Sequence, residues 1–149
     1  MSLNYHLPVI YGGSLAPGSL AIQGFTGSAV SHVGILLPRD GGVLESVGGK
    51  GVSIASMSDF TRRYSRVMVG DYPSFYTPED AIERALSKRG QQYDYPAIFG
   101  ILTRTGWNHD GKWICSELLA WATGTVTGNV ARYTQQDALI ITRNLKRIK

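Results

Sequence analysis

The chain is poor in cysteine, with one, Cys115, in 149 residues. A single cysteine forms no intramolecular disulfide, so nothing here demands an oxidising compartment. One Cys and three scattered His residues also lack any spacing that would hold zinc, and no metal or other cofactor is expected. Long apolar runs are missing as well. None approaches the roughly 18 residues needed to span a bilayer. The opening Met1-Ser2-Leu3-Asn4-Tyr5-His6-Leu7-Pro8 lacks the basic segment and the apolar stretch of about 7 or more residues that mark a secretory signal, so a soluble protein is expected. Neither a Gly-rich phosphate loop, nor zinc-finger spacing, nor interleaved aromatic and basic residues occur, which argues against a nucleic-acid partner.

What is present fits one domain over residues 1–149, a size at which roughly 70% of the unfolded chain's surface is buried. Lys and Arg number 15 against 11 Asp and Glu, for a net charge of +4. Part of that excess lies in Arg143, Lys146, Arg147 and Lys149, which read as a solvated basic end. Glycine is abundant, at 18 residues. It concentrates before position 52, where short apolar runs alternate with turn signals.

Ser19 to Ile22, His32 to Leu37, Val43 to Val47, Val52 to Ile54 and Arg66 to Val69 are candidate strands. Asp40-Gly41 is expected to turn the second into the third. Beyond Asp71 the pattern becomes helical. Thr77 is an N-cap with Pro78 at the first helical position; Ala81, Ile82, Ala85 and Leu86 form the apolar stripe, and Gly90 is the expected stop. A short helix is expected over Pro96 to Leu102. Another runs from about Ile114 to Thr123 and ends at Gly124. After a capped turn at Thr134 to Asp137, the apolar stretch Ala138 to Arg143 should return as a strand. Strands first and helices second make an α+β domain.

Cys115 stands where a polar segment becomes this last apolar helix. The free amides and positive dipole end of a helix N-terminus stabilise a thiolate. A cysteine nucleophile also needs an imidazole partner and a group to orient it. His32 opens an apolar strand that can hold its ring rigidly, whereas His6 lies in a terminal segment and His109 in a loop, the latter remaining a fallback. With the turn centred on Asp40-Gly41, Leu36 pairs with Glu45, and Glu45 shares a sheet face with His32. Gly49 then lies opposite His32, four residues from Glu45, or about 13 Å at the usual strand rise. A bulge, a shifted turn or strong twist has to close that gap. Taken one at a time, Cys115 reads equally as a small core hydrophobe, His32 as structural and Glu45 as solvent-facing.

In order, the segments Ser31-His32-Val33-Gly34-Ile35, Leu44-Glu45-Ser46-Val47-Gly48-Gly49 with Gly51-Val52, Gly90-Gln91-Gln92-Tyr93-Asp94-Tyr95 and Cys115-Ser116-Glu117-Leu118 resemble the circularly permuted NlpC/p-sixty papain-like cysteine hydrolases of the YiiX and YebB type. The resemblance covers roughly residues 17 to 140. It implies a papain-like fold, with an antiparallel β-barrel or curved sheet packed on the nucleophile-bearing helix. It also implies Cys115 as nucleophile, His32 as general base and then acid, and Glu45 as the group that orients His32. Tyr93 matches the aromatic of the family's Gly-x-x-Tyr motif and is either an oxyanion or substrate-binding residue or a core aromatic. Glu117 points about 200° around the helix from Cys115 and is expected to be structural. Such enzymes cleave amide, ester or thioester acyl bonds. Peptidoglycan stem peptides, at γ-glutamyl amides, are the expected substrates, with acyl lipids second. A cytoplasmic or phage-associated setting fits this reading. The competing expectation is a catalytically silent papain-like module that binds peptide or wall material.

Overall fold

A computed structural model describes residues 3–14, 30–93, 112–113, 115–125 and 135–149, apart from the side chains of 93, 112, 113, 135 and 136. Six antiparallel strands form one open sheet in the order β4-β3-β2-β1-β5-β8. They are β1 (Tyr5–Gly13), β2 (His32–Leu36), β3 (Val43–Val47), β4 (Gly51–Ala55), β5 (Arg66–Ser74) and β8 (Arg143–Arg147). Between β5 and β8, the two-residue strands β6 (Gln92–Tyr93) and β7 (Lys112–Trp113) pair in parallel. The helices among the described residues are α1 (Met57–Arg63), α2 (Pro78–Leu86), α3 (Cys115–Thr123) and α4 (Gln135–Ile141). The chain is therefore mixed in secondary structure, with sheet first and most helix later. Strands β4 and β8 are the outer strands of the sheet, which is open among the described residues, and Val52 of β4 bonds outward to the Gly90 and Gln91 backbone at 2.8 Å each.

Alternation sorts the strands between two cores. Val9 and Tyr11 of β1, Val33 and Ile35 of β2 and Leu44 of β3 pack with Ala81 and Ala85 of α2, Leu118, Leu119 and Ala122 of α3 and Ala138 of α4. The opposite parity places Ile10, Val43 and Val67 against Phe60 of α1, with Leu36 beside them. Side chains two apart on a strand share a face, so His32 and Glu45 belong to the α1 side.

Several expectations are corrected. The β2–β3 turn is centred one residue earlier than Asp40-Gly41: Arg39 and Asp40 hold φ of 56° and 55°, and the Gly41 amide donates to the Pro38 carbonyl at 3.1 Å. Two consecutive left-handed residues give a turn whose twist matches the strands. Leu36 consequently faces Val43, and Ile35 faces Leu44. Residues 138–141 are helical, and the terminal strand is Arg143–Arg147. That strand is exposed along its whole length. Backbone pairing to β5 holds it in place, so it carries no apolar alternation.

Helix α2 begins as expected, with Thr77 Oγ1 accepting from the Asp80 amide at 3.2 Å. It stops at Leu86, before Gly90 (φ 88°), and Leu86 is exposed. His6 belongs to β1, and β5 continues to Ser74. Helix α3 ends at Thr123 with Gly124 at φ 68°, as the glycine stop requires. The expected strand at Ser19–Ile22, the helix at Pro96–Leu102, His109, Thr134 and the Tyr93 side chain lie outside the described residues.

Candidate active site

His32 is the first residue of β2, Glu45 the middle residue of β3 and Cys115 the first residue of α3. Moving the turn by one residue shortens the His32–Glu45 offset from four residues to two. Diagonal neighbours at that offset are within reach of long side chains. Gly34 occupies the strand position between them. A Cβ there would sit 2.4 Å from Val43 Cγ1, too close to fit, and 3.6 Å from Glu45 Cβ, an ordinary contact, so the glycine is required by Val43.

Glu45 is 2% exposed and His32 6%. His32 Nε2 lies 2.6 Å from Glu45 Oε1. An ionised carboxylate only accepts, so the ring nitrogen is the donor. The second oxygen, Oε2, accepts from the Arg63 guanidinium at the end of α1. Burial works to raise the Glu45 pKa, and the His32 hydrogen bond and charge together with Arg63 overcome it, leaving the carboxyl below its usual range.

The His32 ring stacks near Tyr64 at 5.8 Å and 16°, and near Phe60 at 5.8 Å and 30°. Arg63 in turn lies over both aromatic rings, 5.3 Å from Phe60 and 5.4 Å from Tyr64. Gly12, the β1 partner of His32, provides the space for Tyr64, since a Cβ there would fall 2.5 Å from that ring.

Cys115 lies within interaction range of His32, whose Nδ1 is the ring nitrogen that Glu45 does not engage. Burial disfavours the imidazolium, but the Cys115 charge and hydrogen bond, followed by those of Glu45, raise the His32 pKa to about 9. Cys115 itself is 4% exposed and belongs to the larger core. Ser116 and Glu117 are also buried, and Leu118 and Leu119 anchor the helix under the sheet.

Two tyrosines border this group. Tyr11 is fully buried and hydrogen-bonded to Thr142 Oγ1 at 2.6 Å. Thr142 donates to the Ala138 carbonyl at 2.7 Å, which makes Tyr11 the donor in the first bond. Burial pushes both the Tyr11 and Tyr64 phenols up, and the Cys115 charge adds to the effect, so both stay neutral.

Of the residues expected from sequence, His32, Glu45 and Cys115 come together. Tyr93 lies on β6, with its backbone opposite Trp113, two residues before Cys115. Arg63, Tyr64 and Phe60 were not anticipated, because α1 was not. Its start carries a legible cap: Ser56 Oγ accepts from the Asp59 amide at 3.1 Å, a Ser with an acid three residues on.

The fold is similar to that of a solved structure, the metalloprotein YiiX from Escherichia coli O157:H7, DUF1105. The TM-score is 0.64 over 99% of this chain and 98% of that one, at 16% identity. No protein-family model matches the chain, and no curated protein does. No helix among the described residues is long and apolar enough to cross a membrane.

The name of that neighbour raises the question of a metal. Among the described residues no group of three His, Cys, Asp or Glu side chains is placed to hold one. At the candidate site both Glu45 oxygens are engaged, by His32 and Arg63. That leaves the His32 and Cys115 side chains, short of the three or four protein ligands of a zinc site. Among the described residues the donor set at this site does not fit a metal ion.

Proposed function

We propose that the chain is a cysteine-dependent hydrolase or acyltransferase of the permuted papain-like kind. The observation that carries this reading is the chain of contacts from Arg63 through Glu45 and His32 to Cys115. A structural cysteine has no need of an imidazole whose far nitrogen is fixed by a buried carboxylate. The sequence order His32, Glu45, Cys115 adds support, being the order of the permuted form.

In this mechanism the Cys115 sulfur attacks the acyl carbonyl carbon, and the carbonyl electrons move onto oxygen. The Cys115 backbone amide at the head of α3 stabilises that oxyanion. The His32 imidazolium then gives its proton to the leaving amine or alkoxide, and an acyl thioester remains on Cys115. Neutral His32 next takes a proton from water or another acceptor, which attacks the thioester and restores the thiol. Glu45 keeps the ring in orientation and compensates the imidazolium charge throughout, and Arg63 holds Glu45 ionised.

The proposed substrates are peptidoglycan stem peptides, at γ-glutamyl or related amides, with acyl lipids second. Incubation with muropeptides or acyl lipids followed by mass spectrometry tests the reading. An acyl adduct on Cys115, absent from Cys115→Ser, is expected from one of the two classes; its absence from both rejects the reading. The burial of Cys115 favours a second reading, a catalytically silent module that binds peptide or wall material. That module would hold muropeptide unchanged with no adduct.

A further inference from the structure

Behind Glu45, on the α1 side of the sheet, lies an open cavity of about 310 Å³. Its wall includes Glu45, Lys50, Ser53, Asp59, Arg62 and Arg63. Its size is at the lower end of the range for small-ligand pockets. Three cations converge on it against two carboxylates, and each carboxylate is already matched by one guanidinium. Arg62 pairs with Asp59, and Arg63 with Glu45. Lys50 has no salt bridge among the described residues and leaves the cavity with an excess positive charge.

The donors are only partly used. Arg63 gives Glu45 one terminal nitrogen, Nη2. A guanidinium carries five N–H groups in a rigid fork, and the side chain of Arg63 is 36% exposed. Arg62 likewise gives Asp59 a single nitrogen, and its side chain is 78% exposed. Two neighbouring guanidinium groups with spare donors and one ammonium suit a tetrahedral dianion. A carboxylate would match the one excess charge, but its two oxygens would use fewer of the spare donors than the three terminal oxygens of a phosphate monoester.

We propose that this cavity binds the phosphate monoester group of a ligand, with Lys50, Arg62 and the outer face of Arg63 as its cationic partners. The cavity adjoins the site proposed around Cys115 and shares Glu45 and Arg63 with it, but its occupancy is measured directly and not through acyl transfer, so either reading can fail alone.

Isothermal titration of the full chain at low salt with inorganic phosphate and with glycerol 3-phosphate provides the test. Saturable binding is expected, weakened roughly tenfold or more in Lys50→Ala/Arg62→Ala. Both positions are on the surface rim, and Lys146→Ala/Arg147→Ala on exposed β8 should bind as the parent does. A parallel arm uses phosphatidylcholine vesicles with and without phosphatidic acid. Binding there alone, again lost in Lys50→Ala/Arg62→Ala, assigns the same phosphate to a lipid headgroup. No saturable binding in either arm, equal loss in the β8 variant, or acetate binding as tight as phosphate overturns the proposal.

Discussion

Glu45 reaches His32 diagonally across adjacent strands, at 2.6 Å, over a position where Gly34 has no side chain. The contact depends on the turn at Arg39 and Asp40, which sets the register. A methyl at Gly34 would collide with Val43. Gly34→Ala should therefore lose about 1–3 kcal/mol, as overpacking does. Urea unfolding of Gly34→Ala and of Gly34→Ala/Val43→Ala checks the cause, because trimming Val43 should return part of the loss.

The His32 proton has its own signature. Its folded pKa of about 9 stands above the ordinary 6.5, so the imidazolium stabilises the fold fully below about pH 6.5. That contribution, on the order of 3 kcal/mol, is lost as pH rises through 9. A ring NMR titration should give a midpoint near 9, and acyl-enzyme formation should fall over the same range as the proton donor is lost. A midpoint at or below 6.5 would contradict the contacts described.

Removing Arg63 leaves the buried carboxylate with His32 alone. Arg63→Ala should cost about 1–2 kcal/mol at neutral pH, less than for a fully buried pair because the guanidinium is partly exposed. Glu45 has a depressed pKa, so its contribution is present above the ordinary value and lost as pH falls through the folded one. The gap between parent and Arg63→Ala should accordingly shrink in acid. Arg63→Lys keeps the charge without the fork and should recover only part of the stability. Urea unfolding at two pH values measures both effects.

Arg84 of α2 closes the far end of α3. It donates to the Trp121 carbonyl at 2.9 Å and the Ala122 carbonyl at 3.2 Å, and lies 4.3 Å from each of the Tyr76 and Trp121 rings. These are the orphan carbonyls and negative dipole end of α3. Arg84→Ala should cost roughly 2 kcal/mol in thermal or urea unfolding, from the lost hydrogen bonds and ring contacts. It should leave the His32 titration where it is.

The helix caps and short strands were legible because their causes are local. Thr77-Pro78 and Gly124 specify helix ends through their own backbones, and the short apolar runs at His32 to Leu36 and Val43 to Val47, set between turn residues, mark the sheet. His32, Glu45 and Cys115 were legible as chemistry from residue type and order. The distances were not, since a one-residue change in the turn moves the register by two. Strand β1 was hidden by Pro8, which removes a donor but falls just beyond the paired stretch Val9–Gly12 with β2. Strand β8 was hidden for the opposite reason, being an edge held by backbone bonds with no apolar face. Arg63 and Tyr64 depend on α1 folding over the sheet, a tertiary fact that no local spacing encodes.

The most direct test of a nucleophile at Cys115 is the rate of its alkylation by iodoacetamide near neutral pH, in the parent and in His32→Ala. An ordinary thiol is only a few per cent ionised at about pH 7, whereas one paired with an imidazolium reacts as thiolate. We expect labelling at pH 6 to 7 that slows by roughly tenfold or more in His32→Ala. A slow reaction that follows the pH dependence of a free thiol, unchanged by His32→Ala, would contradict the assignment.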